Sequence, residues 1–402
     1  MASTVRRSMR RRPAPGRRAL VATAVAAVLT TTAAAPASAE PARPLPVAPH
    51  IVFYGSQTMT PSSNPLGLPR AVHGDIDASY TYAGRRTTVA DFLERTSTRG
   101  LVVLHDGRMV AEKYWAGYTS GSRFNSWSVG KSITSTAVGL AFSEGRIDSL
   151  DDPITEYVPE LKGSGYDGVP IEHILQMSSG QDYDESDYAN VTAGATGTTI
   201  RMVAGEPLKN QARQSKRVRR SGTAFNYASM DTFVLGWLVT SVTGRSLPSY
   251  VQQKIWHPAG MASSAAVGED YHGSPIAYAS YHATTRDFAR FGELFANGGE
   301  VRGRQVIPAE WVRRATTPQS GQVAPGKLYP GGGSRYGYGY QWWIGEGDRG
   351  DYTAIGILGQ FVYVWPAKGI VIAKNSEDAD AENHMEEAMS AFRAIADKVV
   401  QG

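Results

Sequence analysis

The sequence predicts an α+β fold: an antiparallel sheet of N- and C-terminal strands flanked by helices, with a mostly helical subdomain inserted between them. Three observations predict it. Two alternating apolar runs open the folded part, several strand-like runs close it, and the stretch between has helical spacing. Of 402 residues, 42% are hydrophobic, enough for one large domain or two interleaved subdomains. Fibrous and disordered classes are excluded.

Residues 1–39 stand outside that fold. Seven arginines (Arg6, Arg7, Arg10, Arg11, Arg12, Arg17 and Arg18) precede the apolar run ALVATAVAAVL, which ends in APASAE. This is the pattern of a secretory signal cut near Ala39, and Arg17-Arg18 fits twin-arginine as well as Sec export. The run is too short to span a bilayer, so a secreted protein with no stable membrane anchor is expected. The whole chain carries +4, and removing seven arginines leaves −3. A nucleic-acid partner thereby loses its electrostatic support. There is no cysteine, which excludes a disulfide framework and thiol chemistry. The eight histidines are scattered without metal-ligand spacing, and neither a metal nor another cofactor is expected.

Residues 40–70, rich in Pro and Ser, predict an extended arm. The remaining domain, 71–402, divides into an α/β part at about 71–125 and 285–402 and a helical part at about 126–284. From about residue 101, LVVLHDGRMVAEKYW reads as a hairpin turning on Asp106-Gly107. Near the C-terminus, YGYQWWI, YTAIGIL, FVYVW and GIVIAKN are candidate strands, followed by a helix from about Glu382 to Val400. Between them, KSITSTAVGLAFSEG and MDTFVLGWLVTSVTG have helical spacing and close on glycine.

One stretch, SWSVGKSIT at 126–134, carries the candidate chemistry. A helix starting near Ser128 puts Ser128 and Lys131 on one face, with the serine on the first turn where free amides point outward. Its own N–H is then an oxyanion donor, and a lysine depressed by burial can act as base. The plain alternative is a serine N-cap with an exposed lysine one turn on. An α/β-hydrolase would need Gly-x-Ser-x-Gly, and residue 126 is a serine where that motif has its first glycine.

Further segments decide between these: SEGRIDSLDDPITEYVPEL, IEHILQMSSGQDYDE, GTAFNYASMDTFVLGWLVTSVTG, ATTRDFARFGELFANGG and AIGILGQFVYVWP. With them the chain, from about residue 100 onward, resembles the serine β-lactamase and penicillin-binding superfamily. The resemblance is to the branch holding class C β-lactamases, family VIII carboxylesterases and 6-aminohexanoate-dimer hydrolases, and QWW at 341–343 with Gly359-Gln360 is most similar to the last. It implies a β-lactamase/transpeptidase-like fold with Ser128 as nucleophile, Lys131 as its base and Tyr227, of Tyr227-Ala228-Ser229, as proton relay.

The resemblance further implies that Ile357 N–H is the second oxyanion donor and that Tyr188 holds the scissile amide; Ser229, Gly359, Trp343 and His282 are candidate substrate-site residues, with core packing the plain alternative for Trp343 and a structural histidine that for His282. Two departures bear on substrate. The third motif reads Leu358-Gly359-Gln360, where relatives carry Lys or His in place of Leu358. The loop from Ala189 to Gly205 has no acid, and seven basic residues (Arg201, Lys209, Arg213, Lys216, Arg217, Arg219 and Arg220) run through and beyond its end. That run is either a solvated face or a seat for a substrate carboxylate; Asp184, Glu185 and Asp187 are loop acids or amine binders. The function expected is an exported serine hydrolase acting on small or oligomeric amides or esters, nylon-type 6-aminohexanoate oligomers included. The alternatives are a D-amino-acid peptidase or β-lactamase acting on cell-wall-like substrates, and a silent binding protein. A dimer is compatible with the sequence, which does not determine the oligomeric state.

Overall fold

The computed structural model describes residues 54–71, 75–183, 185, 192–329 and 334–402. The expected signal segment, residues 40–53 of the arm, and Asp184, Asp187 and Tyr188 lie outside them.

The hairpin forms where the sequence places it. Strands β1 (Thr98–His105) and β2 (Arg108–Tyr114) pair antiparallel, and their two-residue turn has φ of 49° at Asp106 and 70° at Gly107. Positive φ at both positions is the geometry that suits the right-handed twist of the flanking strands. The C-terminal runs give β3 (Gly337–Tyr338), β4 (Trp343–Ile344), β5 (Tyr352–Gly356), β6 (Gln360–Trp365) and β7 (Ile370–Ser376). The sheet order is β3-β4-β5-β6-β7-β1-β2, antiparallel throughout, so the last strand of the chain pairs with the first strand of the sheet.

YGYQWWI departs from the expectation of one strand. It splits into β3 and β4, which pair with each other, because Gln341 between them turns left-handed at φ 65°. The Gln341 side chain fixes that turn: Oε1 accepts from Thr232 at 2.7 Å and Nε2 donates to the Leu175 carbonyl at 2.8 Å. The expected arm also differs: Gly55–Met59 is a strand paired with Ala265–Glu269. That pair joins Tyr281–Thr284 and Arg123–Asn125 in a second, four-stranded sheet.

Four helices position the site: α1 (Val129–Ser143), α2 (Ser229–Thr243), α3 (Thr285–Ala296) and α4 (Ala381–Gln401). Alternate residues of the main sheet face opposite ways. Val102, Leu104, Val362, Val364, Val371 and Ala373 share a core with α1, α2 and α3. Leu101, Val103, Phe361, Tyr363, Ile370 and Ile372 pack instead with Phe392, Ile395 and Val399 of α4. Helices α1 and α2 are buried along most of their length, as apolar sequences without a polar stripe must be. Among the described residues no helix is long and apolar enough to cross a membrane.

Candidate active site

The chain leaves strand Arg123–Asn125, turns through Ser126 and Trp127, and enters α1 directly after Ser128. Trp127 sits at φ 45°, a conformation that costs a bulky residue on the order of 1–3 kcal/mol. The turn is held by Ser126 N–H donating to the Tyr281 carbonyl at 2.7 Å and Trp127 N–H to Asn125 Oδ1 at 3.3 Å. At the helix entrance the Ser128 hydroxyl caps no backbone amide. It accepts instead from Lys131 Nζ at 2.9 Å.

Lys131 is 1% exposed, its ammonium surrounded by Ser128, Ser229 Oγ at 2.8 Å and the Tyr278 carbonyl at 3.5 Å. The rings of Tyr227 and Tyr278 lie 4.9 and 5.6 Å from it. Burial pulls its pKa down to about 8, against the opposing pull of the Glu185 carboxylate. A measurable fraction is therefore free amine near neutral pH. Tyr227 hydrogen-bonds to Ser128, and burial, with the Glu185 charge beside it, keeps its phenol protonated well beyond the ordinary range.

On the other side of Ser128 runs β5. A side-chain carbon on Gly356 would lie 2.6 Å from the Ser126 carbonyl oxygen and 3.0 Å from Ser128 N, so only glycine lets the strand approach this closely. Ile357 follows in the turn to β6, which passes through Leu358 at φ 60° and Gly359 at φ 80°. The Leu358 carbonyl is gripped by Gln360 Nε2 at 3.0 Å and Asp378 N–H at 3.1 Å.

The remaining expected residues are placed as follows. Ser229 starts α2 and touches Lys131. Trp343 is buried 5.3 Å from the Tyr227 ring and forms, with Phe225 and Tyr338, an aromatic wall behind it. His282 lies opposite Asn125 in register, on the strand beside the nucleophile turn. Gly359 is enclosed by Ser376, Asp378 and Lys374, and a side chain there would meet Ser376 Cβ at 3.0 Å. Of the basic run, Lys209 and Arg213 lie over Trp237, and Arg217 donates to the Asp167 carbonyl at 3.0 Å.

Two residues escaped the sequence reasoning. Glu185, read there among loop acids, accepts from both the N–H and the hydroxyl of Ser229, the latter at 2.7 Å. No spacing marks a contact across 44 residues. Lys374 is wholly buried beneath the Leu358-Gly359 turn, donates to Ser376 Oγ, and is pulled down to about 7 by burial, with Asp378 opposing. Its signal was a lone lysine inside the apolar run GIVIAKN.

The Beta-lactamase family profile matches residues 85–394, a span that holds Ser128, Lys131, Tyr227 and the main sheet. The chain belongs to the β-lactamase family. It is 33% identical to the 6-aminohexanoate-dimer hydrolase of Paenarthrobacter ureafaciens over 297 residues, 72% of this chain and 75% of that protein. A provisionally named 6-aminohexanoate-dimer hydrolase from Bacillus anthracis superposes with a TM-score of 0.75 at 25% identity, covering 85% of this chain and 91% of its own. A family VIII carboxylesterase shares the fold at a TM-score of 0.57 and 16% identity, covering 76% and 95%. This β-lactamase-family protein is a serine hydrolase, as its amide-cleaving relatives are.

Proposed function

We propose that this hydrolase, exported after removal of its N-terminal signal, cleaves carboxylic amides or esters through an acyl-enzyme on Ser128. Linear 6-aminohexanoate-type oligomers are favoured over β-lactams. The single observation that carries the mechanism is the 2.9 Å contact between the Ser128 hydroxyl and a buried lysine. The substrate preference rests on the 33% identity to the Paenarthrobacter enzyme.

In the first step Lys131, as free amine, takes the Ser128 proton while Oγ attacks the substrate carbonyl carbon. The negative charge that develops on the carbonyl oxygen is held by the N–H groups of Ser128 and Ile357. On collapse the C–N or C–O bond breaks and the leaving group takes a proton from Tyr227, whose neutral phenol is suited to giving one. Lys131 ammonium returns a proton to Tyr227, and water then attacks the acyl-enzyme, with Lys131 again as base, to release the acid. The aromatic wall of Trp343, Phe225 and Tyr338 suits an aliphatic chain, and Tyr188 would hold the scissile amide.

The test is release of new amino groups from a linear 6-aminohexanoate oligomer, beside a Ser128→Ala control. Turnover abolished in the control is expected. Oligomer turnover that survives Ser128→Ala defeats the mechanism, and ester hydrolysis without oligomer turnover removes the substrate assignment.

A further inference from the structure

We infer that Glu185 is a positioning residue for Lys131: acting through the Ser229 hydroxyl, its carboxylate aims the lysine at Ser128 and sets the pH at which Lys131 serves as base. The inference rests on the reading of Ser128 and Lys131 given above and adds a residue to it.

The hydrogen-bond directions carry the argument. A serine hydroxyl has one proton, and that of Ser229 goes to Glu185 Oε1 at 2.7 Å. The Ser229 oxygen is thereby left to accept, and it accepts from Lys131 Nζ at 2.8 Å. A free amine has two hydrogens and one lone pair. In the ammonium one hydrogen is committed to Ser229, a second faces the Tyr278 carbonyl at 3.5 Å and the third is donated to the Ser128 hydroxyl at 2.9 Å, so loss of that third proton leaves the lone pair facing Ser128. Without the carboxylate the Ser229 hydroxyl is free to reverse and donate to the lysine lone pair, in competition with Ser128. The second Glu185 oxygen accepts from Ser229 N–H at the start of α2, which fixes the carboxylate to the helix that Tyr227 leads into.

Charge acts in the same direction. Lys131 is faced by Glu185, by the neutral phenols of Tyr227 and Tyr278, and by no second cation among the groups that shift it. Glu185 in turn faces the phenols of Tyr183, Tyr227, Tyr278, Tyr329 and Tyr338, and Asp231, whose pKa burial raises to about 7. Glu185 is the one charged group that shifts Lys131, and it favours the ammonium.

The test uses the full chain and a nitrophenyl alkylphosphonate. The Ser128 Oγ–P bond forms, nitrophenolate leaves, the serine proton goes to Lys131, and no natural substrate is required. Labelling rate is followed from pH 5 to pH 10 by nitrophenolate release, with the labelled residue mapped by mass spectrometry. In Glu185→Gln the midpoint of the acid limb is expected to move down by about one pH unit, while the plateau falls because the weaker base is also misaimed. The shift of midpoint is what a loss of folded protein alone cannot produce, and the two profiles cross wherever the plateau falls by less than about tenfold. Ser229→Ala, read in the same way, is expected to lower both midpoint and plateau. Label on Ser128 with wild-type midpoints in both variants overturns the role of Glu185 and leaves the nucleophile standing. Label on another residue overturns the nucleophile, and the inference with it.

Discussion

At the scale of single residues, the proposed chemistry turns on the burial of one amine beside Ser128. Lys131 lies in apolar surroundings that disfavour its charge, so its pKa falls to about 8 and the reactive form is the free base. The sign of the pH dependence follows: kcat/KM rises with pH through about 8 and levels above it, because protonation removes the base. Lys131→Arg keeps the charge but cannot yield a proton at any working pH. Ester hydrolysis by that variant is expected to fall by roughly 10²–10⁴-fold with circular dichroism unchanged; retention of more than a tenth of the rate would show that the base is elsewhere. That the structure brings Ser128, Lys131 and Tyr227 together was legible because the first two are three residues apart at one helix start and the third opens a recognisable tripeptide before another. Glu185 was not, since its partner lies across a loop whose path no local pattern encodes.

At the scale of elements, the turn between β5 and β6 is held by a side chain of β6 and a backbone N–H just beyond β7. Leu358 stands where the resemblance implies Lys or His, and the turn is held at its carbonyl by Gln360 Nε2 and Asp378 N–H. Gln360 Nε2 also donates to the Ser376 carbonyl at 2.8 Å, and Asn375 Nδ2 donates to Gln360 Oε1 at 2.9 Å, so the glutamine ties β6 to β7 at the end nearest the site. The amide of Ile357 lies on the same turn, and its aim depends on that grip. Gln360→Ala is expected to lower kcat by about 10- to 100-fold with KM changed little, in steady-state ester hydrolysis. A rise in KM at constant kcat would instead place Gln360 in ground-state binding. The strands around this turn were readable from alternation, but the split of YGYQWWI was not, because the left-handed Gln341 is fixed by contacts to Thr232 and Leu175 far along the chain.

At the scale of the molecule, catalysis and much of the stability are placed on opposite faces of one sheet. The nucleophile's helix α1 packs on one face, and α4 covers the other, with Phe392 set 5.1 Å from Phe361, 5.8 Å from Tyr363 and 6.2 Å from Phe92. The sheet is closed only when β7 docks beside β1, so residues 265 (His105 and Ile370) to 278 (Thr98 and Ser376) positions apart must meet before α4 has a surface to cover. The terminal strands and the tail helix were legible as such, whereas the recruitment of Gly55–Met59 into a second sheet was hidden, because its partner Ala265–Glu269 lies more than 200 residues away. Phe392→Ala removes a fully buried ring from the α4 face and is expected to cost about 3–5 kcal/mol, read as a lower urea midpoint. The variant still presents β5, the turn and α1 to substrate on the far side, so kcat per folded molecule, titrated by phosphonate labelling of Ser128, should match the parent. A loss of kcat in that titrated fraction would mean that the α4 face and the catalytic face move together, and that the sheet transmits strain from one to the other.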